Sequence, residues 1–494
     1  MGKQTYVIGI DASTQSTKAI AWTREGRVAA QARVSTQTMQ PQPGYAEQDA
    51  ESWWSSTCTA LADVFTKINP DDVEALAISN QRETMVFTDE TGRPLAPATL
   101  WFDGRVTDSY QDFANSFGAD SLHRTTGKQP DLTPAVYRLH WFRRHDPDLL
   151  DRAARILDVH GFLTMRLSGV PHATHTSADP FGLFDLHTKT WSAPILDSLG
   201  IPITKLPALT APGRLIGHVS RDAAAVTGLR AGTPIIAAGG DGQCAGLGAN
   251  AVKPGKVYLN LGTALVVGLW SPEPLISRSW RTMTSPSADG FFLESLRRAG
   301  ALMMNWLIDN FAGGRSNPGI FERLEAEAAN LPIGAAGLSV SPYLTGCMDP
   351  HWDSHARASF IGFGTHHTMA HLYRATLEAL TLESARAIAA MRSAGLAPEQ
   401  IIAIGGGAAS RLWLEMFADS TGLPVHRGES DEASALGAGM TAAFGIGWFE
   451  TISDAATAMS RTIETILPDP QKAAEWAAAS ARQAAVYEAT ARLR

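Results

Sequence analysis

Apolar runs of strand length alternate with stretches of helical spacing along this chain, and two of the strand-turn-strand units are built alike. In the first, Val7-Ile8-Gly9-Ile10 passes through Asp11-Ala12-Ser13-Thr14-Gln15-Ser16-Thr17-Lys18 into Ala19-Ile20-Ala21-Trp22. In the second, Val257-Tyr258-Leu259 passes through Asn260-Leu261-Gly262-Thr263 into Leu265-Val266-Val267-Gly268-Leu269. An apolar run, a turn of small residues and a second apolar run predict a β-hairpin. Aligned on their threonines, Asp11 falls on Asn260, Ser13 on Gly262 and Thr14 on Thr263. A hairpin tip of small residues exposes backbone N–H groups and hydroxyls, which bind phosphate oxygens. Either hairpin alone is ordinary in an α/β protein. The matched pair points to a duplicated, two-domain enzyme of phosphoryl transfer, gripping a polyphosphate from both sides.

Between the hairpins the pattern predicts a helix from residue 50 to about 68 and a buried strand at 75–79. That strand ends in the polar cluster Asn80-Gln81-Arg82-Glu83-Thr84, and a further strand follows at 85–87. A strand at 234–238 stops at Gly239-Gly240-Asp241-Gly242, where the domain crossing is expected: one domain at 1–239, the other at 240–494. Helical spacing covers roughly 295–312 and 366–394. A strand at 401–404 runs into Gly405-Gly406-Gly407-Ala408-Ala409-Ser410 and a helix to about 420. The small residues of Glu432-Ala433-Ser434-Ala435-Leu436-Gly437-Ala438-Gly439 suit a helix packed closely on a neighbour, and the Ala-rich stretch after 470 suits a surface helix.

Composition adds limits. A chain of 494 residues is too long for one core. With 45% hydrophobic and 18% charged residues it is a globular α/β composition. A net charge of −8 without a basic stripe argues against a nucleic-acid partner. No stretch approaches the ~20 apolar residues of a membrane span, and the short run before Asp11 leaves no room for the apolar core of a secretory leader. The three cysteines, Cys58, Cys244 and Cys347, are far apart and lack C-x-x-C spacing, so a reducing cytoplasm is expected. No zinc site on one helix is expected of the histidines.

Three clusters carry candidate chemistry. Asp241 stands between glycines at a strand end, which leaves room for a ligand and suits a general base; the plain alternative is a turn residue. Arg82-Glu83 offers a donor and an acceptor to vicinal hydroxyls, or else forms a surface ion pair. The triple glycine lets backbone lie against a flat ring, and the following helix would offer its N-terminus to the ligand. It is not a dinucleotide fingerprint, because the last glycine of G-x-G-x-x-G is missing. No G-x-x-x-x-G-K-[ST] loop or G-x-S-x-G elbow occurs, which excludes a P-loop kinase and weakens a serine hydrolase.

Together these residues resemble the FGGY carbohydrate kinases, the family of xylulokinase and glycerol kinase, from about residue 5 to 445. The resemblance rests on 9–18, on Leu100-Trp101-Phe102-Asp103-Gly104-Arg105, on Gly239-Gly240-Asp241 and on Leu261-Gly262-Thr263. It rests also on Pro342-Tyr343-Leu344-Thr345-Gly346 and on the run from Gly405 to Trp413. It implies an α/β fold of two actin-like, ribonuclease H-like domains with an ATP cleft between them. It further implies Asp241 as catalytic base and Asp11 as organiser of Mg²⁺ through water. Ser13, Thr14, Gln15, Gly262 and Thr263 would hold the phosphates; Gly406, Gly407 and Ala408 would line the adenosine. Arg82, Glu83, Trp101, Asp241 and Gly242 would face the sugar.

This chain departs from the family pattern at several places. Ser13 replaces a usual glycine, which tightens the turn and leaves a hydroxyl donor. Gln81-Arg82-Glu83-Thr84 is similar to glycerol kinase, whereas Trp101 to Arg105 is similar to xylulokinase. Gly242 follows Asp241 where glycerol kinases carry Gln and xylulokinases Asn. The resemblance favours a ketopentose such as D-xylulose, then erythritol, another polyol or a sugar acid, and glycerol last. Its partners would be ATP and a small sugar or polyol, and it allows a homodimer. A rival of a different class is a catalytically inactive, ligand-sensing relative; retention of Asp11, Thr14, Asp241 and Thr263 together speaks against it.

Overall fold

The computed structural model describes residues 4–491. Both predicted hairpins form, as Tyr6–Ala12 with Ser16–Trp22 and as Lys256–Leu261 with Leu265–Ser271. Each is the centre of its own sheet. In the first, the order is Leu215–His218, Pro234–Gly240, Val73–Asn80, Tyr6–Ala12, Ser16–Trp22, Val28–Ser35. In the second it is Thr462–Ile466, Val425–Gly428, Gln400–Ile404, Lys256–Leu261, Leu265–Ser271, Phe291–Arg297, Arg281–Thr284. Down both lists the first pair is antiparallel, the next two pairs parallel and the hairpin antiparallel. The duplication read in two short motifs therefore extends over whole sheets.

Strand alternation divides the second sheet between two cores. Val257, Leu259, Ile401 and Ala403 face the helices Ala301–Phe311, Met369–Ser393 and Arg411–Thr421. Tyr258, Ile402 and Ile404 face inward, toward the helices Asp241–Gly248 and Ala433–Gly445 between the sheets. Ala433–Gly445 lies across the first sheet, and small residues let it come close. A Cβ on Gly9 would stand 2.0 Å from the carbonyl oxygen of Ala435, and one on Gly437 would stand 2.0 Å from that of Cys244. Close packing accounts for this segment.

One expected helix begins late. Residues 295–297 belong to the strand Phe291–Arg297, and the helix is Ala301–Phe311. Glu294 and Arg297 are buried charges within that strand, so the apolar alternation that marks a strand is interrupted there. The stretch after 470 forms the helix Ala473–Ala491, which docks through Trp476 and Ala479 on the core that holds Val257 and Leu259. Among the described residues no helix is long and apolar enough to cross a membrane.

Candidate active site

The first hairpin brings Asp11 to the carboxyl end of its strand, in register with Ser79 of Val73–Asn80. The Ser79 hydroxyl donates to Asp11 Oδ1 at 2.9 Å. Asn260, its counterpart by alignment, occupies the equivalent strand end in the second sheet, opposite Ile404. Asp11 and Asn260 line one cavity of about 70 Å³, together with Lys18, Gly405, Glu432 and Ser434. An ion pair between Lys18 and Glu432 joins the first sheet to the chain leading into Ala433–Gly445. The two halves thus converge on one point.

Asp11 is only 6% exposed. Burial, then the charge of Asp241, push its carboxyl up to about 7, against the opposing pull of Lys18. Asp241 begins the helix Asp241–Gly248, one residue beyond the strand Pro234–Gly240. Its side chain is 36% exposed and so can be reached from the cleft. Its Oδ1 accepts the Gly242 N–H at 2.8 Å and lies 3.2 Å from Arg82 Nε. Burial raises this carboxyl above its ordinary range, although Arg82 pulls it down.

The glycines around Asp241 have a different occupant from the one expected. A Cβ on Gly240 would stand 2.7 Å from Arg82 Cδ, and one on Gly242 would stand 2.9 Å from Arg82 Cζ. The room they leave is filled by the Arg82 side chain. Arg82 and Glu83 are both buried, and neither forms the surface pair that local sequence allowed. Arg82 Nη1 donates to Glu294 Oε2 at 2.9 Å and to Gln243 Oε1 at 3.2 Å. Glu83 takes Arg281 Nη1 at 2.9 Å, and Arg281 also pairs with Glu294. The Tyr258 hydroxyl donates to Glu294 at 3.1 Å. Glu294, Arg281 and Tyr258 belong to the second sheet, so the network ties one half of the chain to the other. Sequence reading missed all three, along with Gln243.

Thr14 turns its hydroxyl toward Trp101. It accepts from Trp101 Nε1 and donates to Gln81 Oε1, both at 3.1 Å. The Ser13 hydroxyl donates to the Ser16 carbonyl at 2.8 Å. The turn is tightened as expected, but the hydroxyl proton is already used within it, contrary to the expectation of a donor left over. Gln15 and Thr263 stand exposed at the two hairpin tips, with Gly262 half-buried beside Thr263.

The three glycines of the second half differ in what holds them. Gly405, at φ 83° and ψ 167°, occupies a region open essentially to glycine alone, and a Cβ there would meet Asn260 Oδ1 at 2.6 Å. A Cβ on Gly407 would meet Leu261 Cβ and Trp413 Cζ3, each at 2.8 Å. Gly406 has open space above it, so nothing in the protein accounts for a glycine there. Ala408 is 4% exposed and belongs to the core, which leaves only its backbone for any nucleotide contact. The helix N-terminus expected to face the ligand is capped within the protein. Ser410 Oγ accepts the Trp413 N–H, and Glu325 accepts from Ser410 Oγ and from the Leu412 N–H.

Among the described residues no group of three or more His, Cys, Asp or Glu side chains is placed to hold a metal. His367 and His371 each accept a backbone N–H at Nδ1, from Gly364 and Thr368.

Residues 6–248 match the model of the FGGY family of carbohydrate kinases, N-terminal domain, and residues 257–446 match that of its C-terminal domain. The chain is 31% identical over 470 residues to the xylulose kinase of Bacillus subtilis (strain 168), covering 94% of this chain and 93% of that one. It is 30% identical over 472 residues to the glycerol kinase of Albidiferax ferrireducens, with 92% and 93% covered. The crystal structure of xylulose kinase from Rhodospirillum rubrum matches with a TM-score of 0.91 at 29% identity, covering 99% of both chains. The twice-built sheet is accordingly the expected actin-like, ribonuclease H-like α/β fold.

Proposed function

Because the chain belongs to the FGGY family of carbohydrate kinases, we propose that it transfers the γ-phosphoryl group of ATP to a hydroxyl of a neutral ketopentose such as D-xylulose. The observation that carries this reading is the convergence of both hairpins on one cavity, with Asp11 and Asn260 in its wall. Residues 1–239 would present the sugar and 240–494 the nucleotide. Asp241 accepts the hydroxyl proton as the sugar oxygen bonds to the γ-phosphorus. The bond from that phosphorus to the bridging oxygen breaks, and ADP leaves. Positioning and charge neutralisation supply most of the rate in such a transfer.

Arg82 orients the base, since its Nε lies 3.2 Å from Asp241 Oδ1 while Glu294 anchors its far end. Trp101, held by Thr14, walls the sugar side with Glu83 and Gly242. Gln15, Thr263, Gly262 and the backbones of Ser13 and Thr14 take the phosphates, since both hydroxyls donate within the protein. Two guanidiniums, Arg82 and Arg281, face three carboxylates, Asp241, Glu83 and Glu294. Within this network every guanidinium is matched by a carboxylate, which favours a neutral substrate over an anionic one. The Bacillus subtilis relative named for xylulose supports the ketopentose, and the Albidiferax ferrireducens relative named for glycerol keeps a small polyol as the second reading. ADP release measured across pentuloses, tetritols, glycerol and sugar acids tests the order. Preferential turnover of a sugar acid would overturn it, and no turnover with any member would favour the inactive sensor. Three free cysteines, two of them buried, accord with a cytoplasmic setting.

Magnesium fits the donor set. It commonly takes one or two carboxylates, several waters and the substrate phosphates. Asp11 and Asp241 are two carboxylates that disfavour each other's ionisation, and Asp11 would hold the ion through water. A cation there lowers the Asp11 pKa from about 7, so preformed Mg·ATP should release protons on binding at neutral pH. The sign for stability is opposite to the usual carboxylate. With its folded pKa raised from 3.8, Asp11 in the free protein costs stability as pH climbs from about 3.8 to about 7, and the cost is constant above that. Calorimetry in two buffers of different ionisation heat reads the proton release. If Asp11→Asn releases as many protons as the parent, Asp11 is not the metal's carboxylate.

The adenosine reading rests on Gly406. Gly406→Ala should leave the unfolding midpoint unchanged and raise the KM for ATP about tenfold, roughly 1.4 kcal/mol. Gly407→Ala should instead destabilise the fold by about 1–3 kcal/mol through overpacking on Leu261 and Trp413. An unaltered ATP KM in Gly406→Ala places the nucleotide elsewhere.

A further inference from the structure

Behind the catalytic cavity the second sheet carries another opening. On its inward face, beside Gln400–Ile404 and Val425–Gly428, lies a crevice of about 220 Å³. This is below the roughly 300–1,000 Å³ of pockets for drug-sized ligands, and suits a small metabolite. Ile402, Ile404, Leu436 and Ala249 form its apolar wall, and polar and charged side chains make up most of the rest. Lys256 enters it from the start of the strand Lys256–Leu261, His426 from Val425–Gly428, and Arg461 from the residue before Thr462–Ile466.

These groups carry more positive than negative charge. Among the described residues no carboxylate pairs with Lys256; burial and the charge of Lys253 both work against its ammonium. His426 holds Thr465 Oγ1 through Nδ1 at 2.9 Å, which leaves Nε2 for a ligand. Glu429 is the one carboxylate in the lining, 3.7 Å from Arg461 Nη1. Arg461 Nη2 meanwhile donates to the Glu25 carbonyl, 2.9 Å away in the first half of the chain. The Gln400 side chain adds an amide donor.

We propose that this crevice binds a small phosphate-bearing anion, at a site separate from the catalytic cleft. Ammonium, imidazole, guanidinium and amide give more donors than the two oxygens of a carboxylate engage, whereas a phosphate group presents three oxygens and up to two charges. The same chemistry serves free phosphate and a phosphorylated sugar or polyol. Ile404 lines both this crevice and the cavity beside Asp11, so an occupant lies one side chain from the reacting groups. The site does not depend on which sugar the enzyme phosphorylates.

Calorimetric titration of the full chain, saturated with a non-hydrolysable ATP analogue and xylulose, tests it with two probes, inorganic phosphate and xylulose 5-phosphate. One binding event is expected to persist with the cleft filled. It should weaken at least tenfold in Lys256→Gln and in His426→Gln, both of which should keep the parent's kcat and KM without added phosphate. Tighter binding of the sugar phosphate identifies an organic ligand, and equal affinities identify free phosphate. Absence of binding by both probes, or binding indifferent to both substitutions, overturns the site. Because the readout is binding, failure here leaves the kinase reading untouched, and failure of turnover leaves this one untouched.

Discussion

Asp241→Asn should lower kcat by ~10²–10⁴-fold, the usual worth of a positioned general base, while the KM for the sugar changes little. The substitution is well isolated by the local geometry. An asparagine Oδ1 can still accept the Gly242 N–H and face Arg82 Nε, so the helix start and the Arg82 side chain have no reason to move. What disappears is the capacity to take the sugar's proton. The fold should not suffer, because burial already disfavours the charged form of this carboxylate, and its neutral amide relieves that cost. Loss confined to kcat, with kcat/KM falling in parallel, is the signature of an interaction made only in the transition state. A variant within a few-fold of the parent would remove Asp241 from the role of base. Equal loss of sugar affinity would make it a binding group instead.

The second large effect concerns a residue that local sequence did not single out. Glu294 is 0% exposed and accepts from Arg82, Arg281 and Tyr258. Glu294→Ala leaves two guanidiniums buried without this partner, and breaking such a pair from one side costs about 3–5 kcal/mol. Urea unfolding at neutral pH should show that loss, with Glu294→Gln falling between the two. The pH dependence has a definite sign. Burial alone would raise this carboxyl, but Arg82 and Arg281 outweigh it and hold the pKa near 2, below the ordinary 4.5. A depressed carboxylate contributes stability that is complete above about 4.5 and is lost as pH falls toward 2. The parent should therefore lose an acid-labile component that Glu294→Ala lacks. Activity should fall as well, since Glu294 anchors the arginine that lies against Asp241. A destabilisation under about 1 kcal/mol with unchanged acid behaviour would reduce the network to incidental contacts.

Much of this protein was legible without its fold. The two hairpins, the strand ending at Asn80, the glycine-flanked Asp241 and the strand running into Gly405 all follow from periods of two and from turn residues. These are local rules, and local rules hold wherever neighbouring residues decide the backbone. Six short motifs in order then carried the family, whose N- and C-terminal models match residues 6–248 and 257–446.

Tertiary structure decided the rest, and at each point a long-range contact competed with the local reading. The space at Gly240 and Gly242 read as room for a ligand, yet it takes Arg82, a side chain some 160 positions earlier. Arg82 and Glu83 read as an adjacent pair, but each finds its counter-charge in the second sheet, at Glu294 and Arg281. The Ser13 hydroxyl read as free, yet it closes its own turn, and the helix after Ser410 spends its N-terminus on Glu325. Glu294 was hidden because a buried charge in a strand looks like any polar interruption until its partners are known. The sequence alone determines which chemistry is available and where the backbone turns. Which side chains are left for a ligand depends on who else reaches them, and only the folded chain brings those competitors together.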